Sequence, residues 1–203
     1  MMMASTASKQ TRQNANERGQ ALLEMTPVIL LMLILGFGVI DFGRAIWQQE
    51  VLTGLTREGS DVASRTTPVN LPAAVTAVVN DGAVLNLNGS CSATIPQCGK
   101  VIITSVQNTG TAGAPVFVMT GQAFGGNLNA TSKIGTYHAN PQHGQSNTVT
   151  LSADSLPGVT TTIPAPGSTV YVTEIYDLYA PITPIASFMK ITMPTTLYDV
   201  AYF

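Results

Sequence analysis

The hydrophobic pattern divides the first 65 residues into three parts. Residues 1–19 (MMMASTASKQTRQNANERG) are polar, with an excess of basic side chains and no apolar periodicity. Residues 20–40 (QALLEMTPVILLMLILGFGVI) are apolar apart from Glu24, and as a helix they would extend about 31 Å, the thickness of a bilayer core. The pattern predicts a disordered, cationic leader followed by one transmembrane helix.

The apolar segment is also compatible with the core helix of a soluble protein or with a signal peptide. A core helix is disfavoured because residues 25–40 are apolar on every face rather than along one stripe. A signal peptide would need a small-x-small cleavage motif soon after Ile40, and the following DFGRAIW offers none. We therefore expect the segment to remain in the protein, with its basic amino end in the cytoplasm and the following chain outside.

The third part, residues 41–65, is predicted to continue the helix beyond the membrane. It contains helix formers and an apolar stripe, and Thr66-Thr67-Pro68 ends the pattern. One helix over residues 20–65 would be transmembrane over about 20–40 and amphipathic after that. The stripe consists of Trp47, Val51, Leu55 and Val62, widened by Leu52 and Ala63.

Two glycines of the helix are candidates for helix packing. Gly36 and Gly43 lie seven residues apart, on one face of the predicted helix. Small residues allow a second membrane helix to approach closely. Glycine is also frequent in membrane helices that make no such contact, so both interpretations stay open.

Residues 66–203 alternate between short apolar segments and turn residues, and they are predicted to form one exported domain. Residues 71–79 have a helical composition and are followed by Asn80-Asp81-Gly82, which predicts a short helix. Segments rich in Val, Ile, Thr and Tyr are the predicted strands: 100–107, 113–119, 148–151, 169–177, 191–193 and 197–202. The predicted fold class is α+β, with the long amino-terminal helix packed on a small antiparallel β-sheet.

A Gly- and Asn-rich segment, residues 121–144 (GQAFGGNLNATSKIGTYHANPQHG), separates two of these strands. Connections longer than about 12–15 residues without secondary structure are uncommon and are usually functional or mobile. The segment is therefore the best candidate for a contact surface on the exported domain.

Cys91 and Cys98 are the chain's two cysteines, with six residues between them. In an exported domain this pattern predicts a disulfide that closes a small loop, and two free thiols are the alternative. A zinc pair is disfavoured because the spacing exceeds Cys-x₂₋₄-Cys and no histidine lies nearby in sequence.

Composition and motifs exclude several classes of function. Charged residues make up 10% of the chain and the net charge is −2, without clusters of Lys and Arg, so nucleic acid is not an expected partner. The sequence has no nucleophile elbow, Walker A loop, dinucleotide fingerprint or H-E-x-x-H. His138 and His143 would need a third metal ligand, and strand alternation would place Glu174 and Asp177 on opposite faces. We expect no enzyme activity, cofactor, metal or small-molecule substrate.

Residues 18–24 (RGQALLE) resemble the processing site of type IV prepilins. In that class a prepilin peptidase cuts after glycine and the mature chain has glutamate at its fifth position. The resemblance implies cleavage between Gly19 and Gln20, with Glu24 as the fifth mature residue. It also implies that Glu24 pairs with the new amine of a neighbouring subunit and sets helix register. A carboxylate that reaches the headgroup boundary is the alternative.

The continuation of the apolar segment narrows the resemblance. Residues 26–31 (TPVILL), 38–45 (GVIDFGRA) and 55–60 (LTREGS) resemble the TadE-like family of the tight-adherence (Tad/Flp) pilus system, whose members are minor pilins or pseudopilins. Residues 176–185 (YDLYAPITPI) are similar, more weakly, to an aromatic-then-Pro-x-x-Pro segment near the carboxyl end of those proteins. Asp41 stands where many relatives have Glu.

The resemblance implies a pilin-like fold and a role in pilus assembly, adhesion or secretion. The implied partners are the prepilin peptidase, other pilins or Tad assembly components, and the membrane. The implied location is the bacterial inner membrane, single-pass, with a periplasmic carboxyl-terminal domain that can be displayed in an extracellular pilus. The alternatives are a membrane-anchored periplasmic scaffold or binding protein that is not processed or polymerised, and, from another class, an anchored hydrolase.

Overall fold

The computed structural model describes residues 6–91, 98–111, 113–150, 164–183 and 196–203, with side chains from residue 23 onward. The chain divides into two units, one with Met1–Arg44 and Pro181–Thr192 and the other with Ala45–Ala180 and Met193–Phe203. In the described residues the helices are α1 Thr6–Ser64 and α2 Leu71–Asp81, with short 3-10 helices at Pro68–Asn70 and Gly82–Leu85. The strands are β1 Gly99–Asn108, β2 Phe117–Gly125, β3 Thr148–Val149, β4 Thr169–Leu178 and β5 Thr196–Tyr202.

Helix α1 begins at Thr6 rather than at the predicted Gln20. The expectation of a disordered leader is therefore wrong for residues 6–19, whose backbone is helical. Residues 6–18 contain no glycine or proline, and Ala, Lys, Gln, Arg and Glu favour helix, so nothing in this stretch ends the helix. At its other end α1 stops at Ser64, one residue before the predicted end, where the Ser64 hydroxyl donates to the Asp61 carbonyl at 2.7 Å.

The part of α1 after Ala45 packs on the sheet through one face. Leu52, Leu55 and Ala63 lie in a hydrophobic core together with side chains of α2, β1 and β4. Trp47, which the sequence placed in the buried stripe, is 47% exposed. The buried face is therefore rotated toward Leu52 relative to the predicted stripe. This packing also explains why the two units divide inside α1, between Arg44 and Ala45.

Two hydroxyl groups on the same face of α1 bond to strand β5. The Thr56 hydroxyl donates to Asp199 Oδ2 at 2.5 Å, and the Ser60 hydroxyl donates to the carbonyl of Ala201 at 2.9 Å. Both helix residues are buried, and buried polar groups need such partners. Strand β5 is thus attached to α1 by polar contacts as well as by its pairing with β4.

Gly59 allows α1 to approach the sheet, and Gly59→Ala is expected to lower the free energy of unfolding by about 1–2 kcal/mol through overpacking. A Cβ at this position would lie 2.8 Å from Thr173 Cγ2 and 3.0 Å from Val78 Cγ2. Gly54 lies on the exposed side of α1 with nothing within 4 Å of its Cβ position. Gly54→Ala should therefore stabilise the helix by about 0.5–1 kcal/mol.

Chemical denaturation of the detergent-solubilised full chain, followed by near-ultraviolet circular dichroism, measures both glycine variants. The two substitutions must shift the transition midpoint in opposite directions. Equal stabilisation by both would show that α1 does not contact the sheet at Gly59.

The sheet is antiparallel throughout, with the strand order β3-β2-β1-β4-β5. Strand β1 pairs with β2 on one side and with β4 on the other, and its register with β2 shifts between Ser105 and Val106. Most residues of β1 and β4 are buried, as expected for strands with neighbours on both sides. The predicted α+β class, a long helix with a small antiparallel sheet, is confirmed.

The predicted strand at residues 113–119 begins too early, because β2 runs from Phe117 to Gly125. Residues 121–125 therefore belong to a strand and not to the predicted loop. A Cβ on Gly125 would lie 2.5 Å from Val75 Cγ1 of α2. The glycine that suggested a loop is where a helix approaches a strand closely. The predicted short helix corresponds to α2, the other predicted strands match β1, β3, β4 and β5, and the one at 191–193 lies outside the described residues.

Candidate functional site

Apart from Glu24, residues 23–40 of α1 present apolar side chains in all directions. Within the described residues Leu23–Ser64 is the one stretch long and apolar enough to cross a membrane, with a window of mean hydropathy 2.3 that the protein does not bury. A helix that is apolar all round requires lipid or other apolar helices as its surroundings. The large apolar side chains before Arg44 that are more than half exposed are Leu23, Met25, Ile29, Leu30, Leu31, Met32, Leu35, Val39, Ile40 and Phe42.

The predicted processing residues lie within this helix. Gly19 and Gln20 belong to α1, and Glu24 follows one turn later with an exposed side chain. Pro27 also lies inside α1, and because proline has no N–H it cannot donate to the carbonyl of Leu23. The structure thus places Gly19, Gln20 and Glu24 on one continuous helix. Cleavage after Gly19 and the register role of Glu24 stay predictions.

Gly36 and Gly43 have open space around them. A Cβ built on either glycine would meet no heavy atom within 4 Å. Both residues are exposed, so within the described residues neither packs against another element. The surface is open to a helix from another molecule, and the packing role of these two glycines stays a prediction.

A carboxylate at the end of the apolar stretch was not singled out as a site by the sequence. Asp41 is 1% exposed and accepts hydrogen bonds from the backbone N–H groups of Ile182 at 3.0 Å and Thr183 at 3.2 Å. The Thr183 hydroxyl also donates to Asp41. The contact joins two segments that each carried part of the family resemblance, residues 38–45 and 176–185. That shared resemblance was the available signal, but nothing in the sequence indicates that the two segments contact each other.

The structure contains the predicted disulfide between Cys91 and Cys98, whose Cα atoms are 5.2 Å apart. Cys98 is fully buried, and its carbonyl accepts a hydrogen bond from the N–H of Leu178 at 2.9 Å. The disulfide therefore lies just before β1, beside the end of β4. Its position indicates a structural role, because it constrains the entry of the central strand.

Glu174 in β4 is a second buried carboxylate that the sequence did not identify as a site. It is 0% exposed and accepts hydrogen bonds from the Lys133 N–H at 2.9 Å and the Ser132 hydroxyl. The Tyr198 hydroxyl also donates to it at 3.2 Å, and the single proton of the Tyr176 hydroxyl is shared between Glu174 at 3.3 Å and the Thr131 carbonyl at 3.0 Å. These four donors stabilise the carboxylate. Side chains alternate along a strand, so Glu174 lies on the same face of β4 as Val172, which is buried. This alternation was the signal in the sequence that Glu174 would be buried.

The two tyrosines beside Glu174 act as hydrogen-bond donors. Their rings are 4.8 Å apart between centroids, and Lys133 Nζ lies 3.4 Å from the centroid of the Tyr198 ring. Burial, and then the negative charge of Glu174, raises the pKa of Tyr176 and of Tyr198 well above the ordinary tyrosine value. Tyrosines held protonated in this way donate hydrogen bonds and do not serve as bases, and it is Glu174 that attaches Ser132 and Lys133 to the sheet.

The raised pKa values predict that the protein loses stability above about pH 10. Below that pH both tyrosines are protonated in the folded and the unfolded chain, so their contribution is fully present. Above it the unfolded chain releases protons that the folded chain keeps, and each tyrosine lowers the free energy of unfolding by at most about 1.4 kcal/mol per pH unit. Chemical denaturation midpoints, measured at several pH values from neutral to alkaline, will show this decrease in stability.

Tyr176→Phe should make the decrease of unfolding free energy above about pH 10 shallower, because it removes one of the two titrating hydroxyl groups. Tyr202→Phe is the control, since Tyr202 is 39% exposed near the end of β5. Identical slopes for Tyr176→Phe and the parent chain would contradict the assignment.

Side-chain amides organise the remainder of the connection between β2 and β3. Asn147 accepts from the His138 N–H at 2.8 Å and donates to the His138 carbonyl at 2.8 Å. Gln122 of β2 donates to the Gly135 carbonyl at 3.0 Å and accepts from the Tyr137 N–H at 3.1 Å. In the part of the chain that the structure describes, no three His, Cys, Asp or Glu residues are grouped to hold a metal. The connection is held in one conformation and presents a polar surface.

Comparison with characterised proteins and with solved structures gives no match. Comparison with protein families gives one match, over a range that covers the apolar part of α1 and most of its packed part. Together with the apolar helix, this match indicates a membrane-anchored protein associated with a Tad pilus. Residues 19–61 match the family of TadE-like proteins, and the resemblance predicted from the sequence is confirmed over this range.

Proposed function

We propose that this chain is a TadE-like minor pilin or pseudopilin of a Tad/Flp, type IVb-like pilus. Its role is structural, in pilus assembly, adhesion or secretion, and not catalytic. The observation that carries the proposal is the family match over residues 19–61, which coincides with the exposed apolar helix. A pilus structural family and a helix that needs apolar surroundings support the same role.

In this role the apolar part of α1 first anchors the protein in the bacterial inner membrane. The leader carries more basic than acidic residues, so the amino end stays in the cytoplasm and the sheet-containing part is periplasmic. The predicted prepilin peptidase then cuts between Gly19 and Gln20. The new amine of Gln20 is a positive charge four residues before Glu24.

Glu24 gives assembly its register in this proposal. A carboxylate inside an apolar membrane helix is costly, so it favours an arrangement that supplies a partner. The amine of a neighbouring processed subunit is such a partner. Gly36 and Gly43, whose Cβ positions have no neighbour within 4 Å among the described residues, give the neighbouring helix room to approach.

The sheet then presents the connection between β2 and β3 as the contact surface. The anchoring of Ser132 and Lys133 to Glu174 keeps that surface in one conformation. Binding to a partner then requires little ordering of the loop. The proposed partners are other pilins or Tad assembly components.

The second candidate is a membrane-anchored periplasmic scaffold or binding protein that is neither processed nor polymerised. The observation in its favour is that α1 continues without interruption through Gly19, so the cleavage site is not in an extended segment. Both candidates share the anchor and the sheet, and processing distinguishes them.

The intact mass of the protein from its native host, with and without the prepilin peptidase, tests the proposal. We expect loss of residues 1–19 only when the peptidase is present. Gly19→Ala should block this loss, whereas Gly36→Ala, in the same helix, should leave it unchanged. A full-length mass in every sample would overturn the pilin proposal and favour the anchored scaffold.

A further inference from the structure

The contact at Asp41 fixes the depth at which a later part of the chain lies relative to the apolar helix. Asp41 directly follows Ile40, the last residue of the apolar run. If the helix spans the bilayer as proposed, Asp41, the first acidic residue after the apolar run, lies at the outer headgroup level. The bonds from Ile182 and Thr183 to Asp41 place their backbone at the same level.

The residues at this level are apolar and exposed. The Ile182 side chain is 65% exposed, and Val39 and Phe42 on the adjoining turn of α1 are 73% and 64% exposed. Asp41 itself is 1% exposed, so its charge is turned toward the Ile182–Thr183 backbone and away from the surroundings. The chain has no charged residue between Asp177 and Lys190. These are the properties of a segment that enters the membrane interface.

We propose that Ile182 is a second membrane contact, with the outer-leaflet lipid surface as its partner and Asp41 as the residue that positions it. Lipid is favoured over protein because the contact is continuous with the lipid-exposed helix through Asp41. The inference rests on the proposed membrane insertion of α1. It means that the chain touches the bilayer at two points distant in sequence.

Depth-dependent fluorescence quenching tests this contact in the full-length chain. Trp47, the single tryptophan, is first replaced by Phe, and the protein is reconstituted in phosphatidylcholine vesicles brominated either high or low on the acyl chain. Ile182→Trp should be quenched mainly by the shallow bromines. Leu31→Trp, in the middle of the apolar run, should be quenched mainly by the deep ones. Val84→Trp, 65% exposed in the other unit, should keep its emission.

The dependence on Asp41 is tested with the Asp41→Asn substitution in the Ile182→Trp chain. Asparagine has the same shape but turns one acceptor into a donor, which faces the N–H and hydroxyl donors of Ile182 and Thr183. Quenching at position 182 should fall, while quenching in Leu31→Trp stays. Asp61→Asn, an acidic residue with a partly exposed side chain on the same helix, is the matched control and should change neither.

The outcomes separate the two proposals. If Leu31→Trp is not quenched, membrane insertion of α1 and the contact fail together. If Leu31→Trp is quenched and Ile182→Trp is not, the lipid contact alone is overturned. If Ile182→Trp is quenched equally with Asp41 and with its Asn replacement, Asp41 does not position the contact.

Discussion

Glu174→Ala will lower the free energy of unfolding by about 2–4 kcal/mol, because several partly buried donors lose a buried acceptor at once. The Ser132 hydroxyl, the Lys133 N–H and the Tyr198 hydroxyl donate to this carboxylate, and the Tyr176 hydroxyl divides its proton between Glu174 and the Thr131 carbonyl. A buried donor without a partner costs about 1–3 kcal/mol, and the hydroxyls recover part of this by rotating. Guanidinium denaturation of the detergent-solubilised full chain measures the loss.

Two further substitutions identify the origin of the effect at Glu174. Glu174→Gln keeps one carbonyl acceptor and the side-chain shape, so it should cost less than Glu174→Ala. Glu58→Ala removes an exposed acid from α1 and should change stability by no more than about 0.5 kcal/mol. A loss below about 1 kcal/mol for Glu174→Ala would show that the four donors find other partners.

Gly126→Ala is expected to cost about 3–5 kcal/mol, from backbone strain and steric overlap together. Gly126 directly follows β2 with φ +85°, a conformation that side chains other than glycine rarely adopt. A Cβ there would lie 2.3 Å from the Gly99 carbonyl oxygen and 3.1 Å from the Leu87 carbonyl oxygen. Both obstacles are backbone atoms, so no change of rotamer relieves them.

Gly144→Ala separates the two parts of that cost. Gly144 has a similar φ of +87°, but nothing lies within 4 Å of its Cβ position. Gly144→Ala should therefore lower the free energy of unfolding by the backbone strain alone, about 1–2 kcal/mol. Thermal unfolding of both variants in the same detergent gives the comparison. Equal losses would mean that the approach of Gly126 to Gly99 is looser than the structure shows.

Local sequence was sufficient to predict the secondary structure where one interaction dominates. The apolar run predicted the membrane part of α1 because a lipid-exposed helix requires an apolar side chain at nearly every position. Strands β1 and β4 followed from their Val, Ile and Thr content. Strand β2 was misplaced because Gly121 and Gly125 suggest a loop, and only the packing of α2 explains them. Trp47 was misassigned because a helical stripe defines a face only approximately.

Candidate residues could be named from the sequence only where they belong to a local motif. Gly19 and Glu24 belong to such a motif, and their roles stay predictions. The contact between Asp41 and Thr183 joins positions 142 residues apart, and that between Ser132 and Glu174 joins positions 42 apart. Nothing local marks such pairs, since each depends on the packing of elements that meet only in the folded chain.

The position of β5 restricts when the sheet of an exported chain can be completed. β5 pairs only with β4 in the described strands, and its Asp199 bonds to Thr56, 143 residues earlier. In the proposed topology α1 enters the membrane first, so residues 45–64 are outside before β5 has crossed and cannot yet bond to it. During that interval β4 has an open edge, which is a template for pairing with another chain.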